Sequence, residues 1–140
     1  MSSESNIRLV RLWVEKVWNE ANLELMNQFH PPSFENHGRP SNIEEARQWH
    51  LRMRATYPDL HYVIGDIFAV DDRVALRWTA AATQRGVLWD VVPPTNKTVT
   101  WSGMHMLRVV DNQIVEVWAI ADSVAVLQQL GVKLQPATPQ

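Results

Sequence analysis

The chain predicts an α+β domain in which three N-terminal helices and a short C-terminal helix pack a cone-shaped, curved antiparallel sheet. Three observations carry this. Up to Pro58 the apolar residues recur at helical spacing, and beyond it the period changes to two. Asp71-Asp72 and Asp111-Asn112 fall between consecutive period-two runs as tight turns, which join those runs into antiparallel hairpins. Helices gathered ahead of the strands, instead of alternating with them, exclude a doubly wound α/β fold.

From Asn6 to Trp18, the residues Ile7, Val10, Val14, Val17 and Trp18 form one apolar stripe of a first helix. A second, Leu23 to Phe29, stops at His30-Pro31-Pro32, because proline lacks the helical N–H and pushes its predecessor out of helical geometry. Phe34 to Gly38 is a short extended piece or turn. Ser41-Asn42-Ile43-Glu44 reads as a capping box, so the third helix starts at Asn42. That helix presents Ile43, Ala46, Trp49, His50 and Met53 on one face and ends at Tyr57-Pro58-Asp59. Four strands follow: Leu60 to Val70, Arg73 to Thr83, Thr98 to Val110, and Gln113 to Ile120. Pro93 to Asn96 is a further turn, with Asn96 suited to left-handed backbone. The last helix, Ser123 to Leu130, closes on Gly131. Residues 1–134 make one domain, and the polar, proline-bearing tail 135–140 is expected to fray.

Composition narrows the function. A net charge of −2 supplies no basic field for nucleic acid or an anionic membrane. The chain has no cysteine, which excludes disulfides, thiolate ligands and a cysteine nucleophile. His30, His37, His50, His61 and His105 show no paired-ligand spacing, so no metal is expected; nor is there a Gly-rich phosphate loop. No apolar stretch approaches the roughly 20 residues that span a bilayer, and MSSESNIRLV lacks the build of a targeting peptide, so a cytoplasmic location is expected. Seven tryptophans in 140 residues supply rigid apolar surface suited to a core or to the wall of a pocket for a flat ligand.

One carboxylate sits in apolar company. Alternation along the last strand puts Trp118, Ile120 and Asp122 on one face. Facing a pocket, Asp122 would be desolvated, its pKa raised and its carboxylate poised as base and acid. Preceding the last helix, it is equally suited to be that helix's N-cap. His105 shares a face with Trp101, Gly103 and Leu107, as a satisfied core residue or a pocket group that donates to a carbonyl oxygen. Arg77 reads as an outward strand residue or as the partner of a buried carboxylate.

The succession VWNEANLELMNQFHPPSFENHG, YPDLHYVIGDIFAVDDRVALRWTAAATQRG, VPPTNKTVTWSGMHMLRVVDNQIVEVWAIAD and LQQLG, over Asn6 to Gly131, resembles the SnoaL-like polyketide cyclases. The resemblance implies the cone-shaped α+β barrel shared with nuclear transport factor two and ketosteroid isomerase, assembled as a homodimer or homotetramer. It implies intramolecular aldol closure of a small hydrophobic or aromatic carbonyl substrate without metal or cofactor. Asp122 matches the family's acid and base, and His105 and His37 match pocket positions. The expected substrate pocket comprises His37, Asn36, Phe34, Trp49, Met53, Trp101 and Trp118. Asn96 and Leu88-Trp89-Asp90 depart from the glycine-bearing family pattern, which points to a mouth shaped for another ligand. Two alternatives stand beside the cyclase: a non-catalytic module for a hydrophobic ligand, and an epoxide-opening enzyme using Asp122, Asp90 and Arg77.

Overall fold

The N-terminal helix keeps the expected stripe but not a uniform geometry. In the computed structural model, which describes residues 2–138, α1 spans Ser3–Trp13 and runs directly into a π-helical turn, Val14–Asn19. Wider winding brings residues five apart onto one side, where an α-helix would splay them. Trp13 and Trp18 therefore both turn inward, ring centroids 4.8 Å apart. A 3-10 turn, Leu23–Leu25, leads into α2, Met26–Phe29, and His30 then leaves helical geometry ahead of Pro31, with φ −127° and ψ 146°.

The extended piece at Phe34 is half of a hairpin, β1 (Ser33–Asn36) with β2 (Arg39–Asn42), turned by His37 and Gly38 in left-handed backbone at φ 54° and 76°. The helix α3, Ile43–Thr56, begins one residue later than expected: Asn42, not Ser41, is the cap, accepting from the Glu45 N–H at 2.9 Å. Ser41 instead donates to the Glu45 carboxylate at 3.0 Å. Two cap-forming residues stand side by side, each with a glutamate three positions on, and the sequence pattern alone does not choose between them.

The long strands are β3 (His61–Val70), β4 (Arg73–Thr83), β5 (Thr98–Val110) and β6 (Gln113–Ala121), and α4, Ser123–Gln129, follows. They join one six-stranded, unclosed sheet in the order β2-β1-β6-β5-β4-β3. Its pairing is antiparallel except where β1 lies parallel to β6, Glu35 opposite Glu116 and Asn36 opposite Val117, so the sheet is mixed. Irregularities between Ile64 and Asp66, and between Arg108 and Val109, bend the strands into a cone. Of the expected fraying tail, residues 135–138 are exposed and without regular structure, and 139–140 lie outside the described residues.

The core sits on the concave face: Val74, Leu76, Trp78, Ala80 and Ala82 of β4 against Val99, Trp101, Leu107 and Val109 of β5, covered by Val10, Val14 and Val17. Arg54 ties the helices to the sheet. Its guanidinium donates to the carbonyls of Trp18, Asn19 (2.9 Å) and Leu60 (2.7 Å), while the Asn19 amide pairs with both backbone groups of Tyr62. Among the described residues no helix is long and apolar enough to cross a membrane.

Gly103 lies opposite Trp78 in the β4–β5 register, and a Cβ there would overlap the indole ring. Gly103→Ala is expected to displace that ring and cost about 1–3 kcal/mol, as overpacked cores do. Urea unfolding of the variant checks this, with near-ultraviolet dichroism reporting the shifted indole.

Candidate active site

The cone encloses a cavity of about 710 Å³. Trp13 and Trp18 come from the first helix, Trp78 and Trp101 from the sheet, Tyr57 from the end of α3 and Tyr62 from β3. Exposed residues form its rim: His37 of the β-hairpin, Glu44, Glu45, Trp49 and Arg52 of α3, and Trp89 of the loop after β4. Phe34, Asn36, His37, Trp49, Met53, Trp101 and His105 all line this cavity, so seven of the anticipated residues come together.

His105 is a cavity residue. Its Nδ1 lies 2.9 Å from the Trp78 Nε1, and an indole nitrogen can only donate, so Nδ1 is the acceptor and the hydrogen of the neutral ring sits on Nε2. Desolvation, reinforced by repulsion from His37 and His50, pushes its pKa down to about 3. The imidazole is therefore an uncharged donor at neutral pH. Its remaining accessible surface faces the cavity, with the Trp18 ring 4.7 Å away.

Two more imidazoles share the cavity. His30 donates through Nδ1 to the Ile114 carbonyl at 3.0 Å and stacks on Phe34 at 4.4 Å; burial lowers its pKa, and the carbonyl partly offsets that. His50, on α3, is pushed down to about 4 by burial and then by His30 and Arg54. In the sequence, His30 stands only as a helix stop and His50 as part of an apolar face. Nothing in the spacing of these residues marks a common site, because α2, α3 and β5 converge only through the fold. His37 is a strut: its ring lies between the Asn36 Oδ1, at 2.6 Å, and the Ala119 backbone, 2.9 Å from the oxygen, and so fastens the hairpin to β6. The Trp13 Nε1 is enclosed without a hydrogen-bond partner among the described residues.

Other expectations are corrected. Trp118 and Ile120 share the convex face, beyond which Asp122 leaves the strand; Val117, Ala119 and Ala121 face the cavity. Trp118 is 43% exposed, donates to Glu116 and packs over Gly38. Asp122 is exposed, and its Oδ1 accepts from the Ala125 N–H at 3.0 Å, the N-cap of α4. Its neighbours Ala121 and Ser123 line the cavity, whereas Asp122 does not. Arg77 lies outside, paired with Asp66 at 2.8 Å, and Asp90 is exposed in the loop after β4. The epoxide-opening trio of Asp122, Asp90 and Arg77 therefore does not assemble. Among the described residues no cluster of three or more His, Asp or Glu is placed to hold a metal.

The sequence model of the SnoaL-like polyketide cyclases matches residues 8–130. IdmH of Streptomyces antibioticus, a proposed polyketide cyclase, is 30% identical, with a TM-score of 0.74 over 85% of this chain and 94% of that one. AclR of Streptomyces galilaeus, a proposed hydroxylase, is 28% identical, with a TM-score of 0.80 over 99% and 91%. A SnoaL-like protein of Jannaschia sp. is 18% identical at a TM-score of 0.84 over 94% and 95%, and this likeness supports the cone fold alone. No curated protein matches the chain.

The buried imidazoles set a pH dependence. His30, His50 and His105 hold folded pKa values below the ordinary 6.5, so the unfolded chain takes up protons that the folded one refuses. Stability is expected to be fully present above about pH 7 and to fall as pH drops from 6.5 towards 4. The slope is up to about 1.4 kcal/mol per pH unit for each such group. Thermal melts across that range check this, and His105→Gln should flatten the fall.

Proposed function

The chain belongs to the SnoaL-like polyketide cyclase family, and on that premise we propose that it is a cofactor-independent enzyme closing a ring within an uncharged, polyketide-like carbonyl substrate. The observation that carries this reading is His105: a neutral imidazole, tautomer fixed by Trp78, that leaves its Nε2–H for a cavity walled by aromatic rings. A substrate carbonyl accepting that hydrogen becomes easier to enolise, because the donor is in place before negative charge develops on the oxygen. The enolate carbon then attacks a second carbonyl of the same molecule, an aldol closure. The indole walls contribute by holding the reacting ends together. Asp122, which the family pattern puts forward as acid and base, has its carboxylate committed to the α4 cap, and this reading gives it no proton to move.

Among the described residues, the carboxylates lining the cavity are Glu44 and Glu45, both exposed on its rim, and the lack of one deeper inside also suits a module that binds without chemistry. The two readings separate in one assay, ring closure of a polyaromatic ketone bearing a second carbonyl, followed by absorbance. Expected are turnover by the wild type, a loss of about 100-fold in kcat with little change in KM for His105→Gln, and near wild-type turnover for Asp122→Asn, since Asn also caps helices. Binding without any conversion supports the module. Loss of turnover in Asp122→Asn, with the fold intact, returns the base to Asp122.

The convex face bears on assembly. Phe68, Met104 and Ile120, 62%, 62% and 81% exposed on three strands, form an apolar field of the kind that marks an interface. Charges of both signs edge it, Arg77 with Asp66 and Arg108 with Asp72, so that a copy rotated by a two-fold axis meets complementary groups. We infer a homodimer through this face. Light scattering is expected to give twice the chain mass for the wild type and the monomer mass for Ile120→Asp.

A further inference from the structure

His30 caps the end of α2 and makes one side-chain hydrogen bond among the described residues, from Nδ1 to the Ile114 carbonyl. A carbonyl oxygen can only accept, so Nδ1 carries the hydrogen and Nε2 holds a bare lone pair. The ring is pinned, stacked on Phe34 with 18° between the planes and met edge-on by Trp13 at 5.7 Å. It is 2% exposed yet lines the cavity, and with Nδ1 committed to Ile114, Nε2 is the polar atom the ring has to offer there. His105 lies against the same Trp13 indole, at 6.2 Å. The cavity thus offers one fixed acceptor and one fixed donor flanking a single aromatic plate. His50 also borders it, but no hydrogen bond among the described residues fixes its tautomer.

The geometry points to His30 as the base: its Nε2 removes a proton from the carbon next to a substrate ketone whose oxygen accepts from His105 Nε2–H. This assignment rests on the reading of the cavity as a site for an uncharged carbonyl compound. The C–H bond breaks, its electron pair moves into the enolate, and the proton resides on His30 as an imidazolium steadied by Ile114. In ring closure the enolate carbon attacks the second carbonyl, and His30 returns its proton to the new alkoxide. No oxidant, reductant or other co-reactant enters the balance. The substrate class is a neutral ketone with an enolisable position, since the polar groups inside are uncharged imidazoles, and the lining guanidinium, Arg52, stands exposed on α3 with Glu44 and Glu45.

The test separates proton removal from ring closure. With 2-tetralone, a bicyclic ketone lacking a second carbonyl, exchange of the α-hydrogens in deuterium oxide is followed by proton NMR, and binding by tryptophan fluorescence. The wild type is expected to speed exchange well above buffer. His30→Gln, whose amide N–H can still reach Ile114, is expected to lose about 100-fold or more of that acceleration at similar affinity, and Asp122→Asn to keep it. Nitrogen-15 NMR of the wild-type imidazoles gives an answer even if the variant folds poorly: His30 Nε2 is expected in the lone-pair range and to shift when 2-tetralone is added. Four results overturn the assignment: exchange persisting in His30→Gln, an equal loss in His50→Gln, a hydrogen found on His30 Nε2, or wild-type binding without exchange. Failure of 2-tetralone to bind overturns the ketone class on which both proposals rest. Exchange at His30 without closure of any diketone leaves the base assigned and removes the cyclase reading.

Discussion

The hydrogen bond from the Trp78 indole to His105 Nδ1 is the contact on which the rest of the site depends. It exists because the β4–β5 register sets Trp78 opposite Gly103, where any larger residue would meet the ring. It persists because Trp18 closes over the imidazole, and Trp18 reaches that place through the π-helical turn. One glycine, one strand register and one widened helical turn thus combine to fix which nitrogen of one histidine carries a hydrogen. A two-faced imidazole becomes a one-way donor, as preorganised electrostatic sites require.

Charge is sorted by face. The convex side carries the ion pairs of Arg77 with Asp66, Arg108 with Asp72, and Arg73 with Glu116, all in contact with water. Inside, the titratable groups beyond the rim are imidazoles and phenols, and burial drives both to their neutral forms, with Tyr57 pushed up to about 12. Arg54, at the edge, has its guanidinium taken up by backbone carbonyls at the end of the helical turn, where the helix dipole is negative. The field in the cavity is therefore one of oriented dipoles, which discriminates by hydrogen-bond polarity and shape more than by charge.

Periodicity carried the sheet. Arg73–Thr83 and Thr98–Val110 are strands with the expected ends, because alternating burial on a half-solvated sheet writes itself into sequence. It could not reveal the π-helical turn, whose residues keep a helical-looking stripe, nor β2, whose Arg39-Pro40-Ser41-Asn42 looks like loop. Alternation also grouped Trp118 and Ile120 without saying which way the pair points, and Asp122 lies past the end of the strand. Both faces of β6 are apolar there, Val117, Ala119 and Ala121 against Trp118 and Ile120, so polarity could not decide the direction. Bulk could have: a concave face crowded by indoles admits alanine more readily than tryptophan. His30 was hidden because Pro31-Pro32 explained its position completely as a helix end, and its partner Ile114 lies 84 residues away.

The rim is where this chain departs from family pattern, and the structure gives that departure a physical basis. Gln84 is fully buried; its Nε2 donates to the carbonyls of Gly86 and Pro93 at 3.1 Å, and its Oε1 accepts from both the N–H and the hydroxyl of Thr95. This amide, with the Leu88–Val92 pairing, over-determines the loop enough to hold Trp89 and Asp90 in consecutive left-handed conformations at φ 51° and 58°. Such backbone costs on the order of 1–3 kcal/mol per residue and survives only where surrounding contacts enforce it. A glycine would relieve the strain but remove the indole that borders the mouth. Proteins proposed as a cyclase and as a hydroxylase share this shell at 28–30% identity, so the shell does not decide the chemistry. What is left to decide it are the few polar atoms inside, and the side chain that strained backbone holds at the entrance.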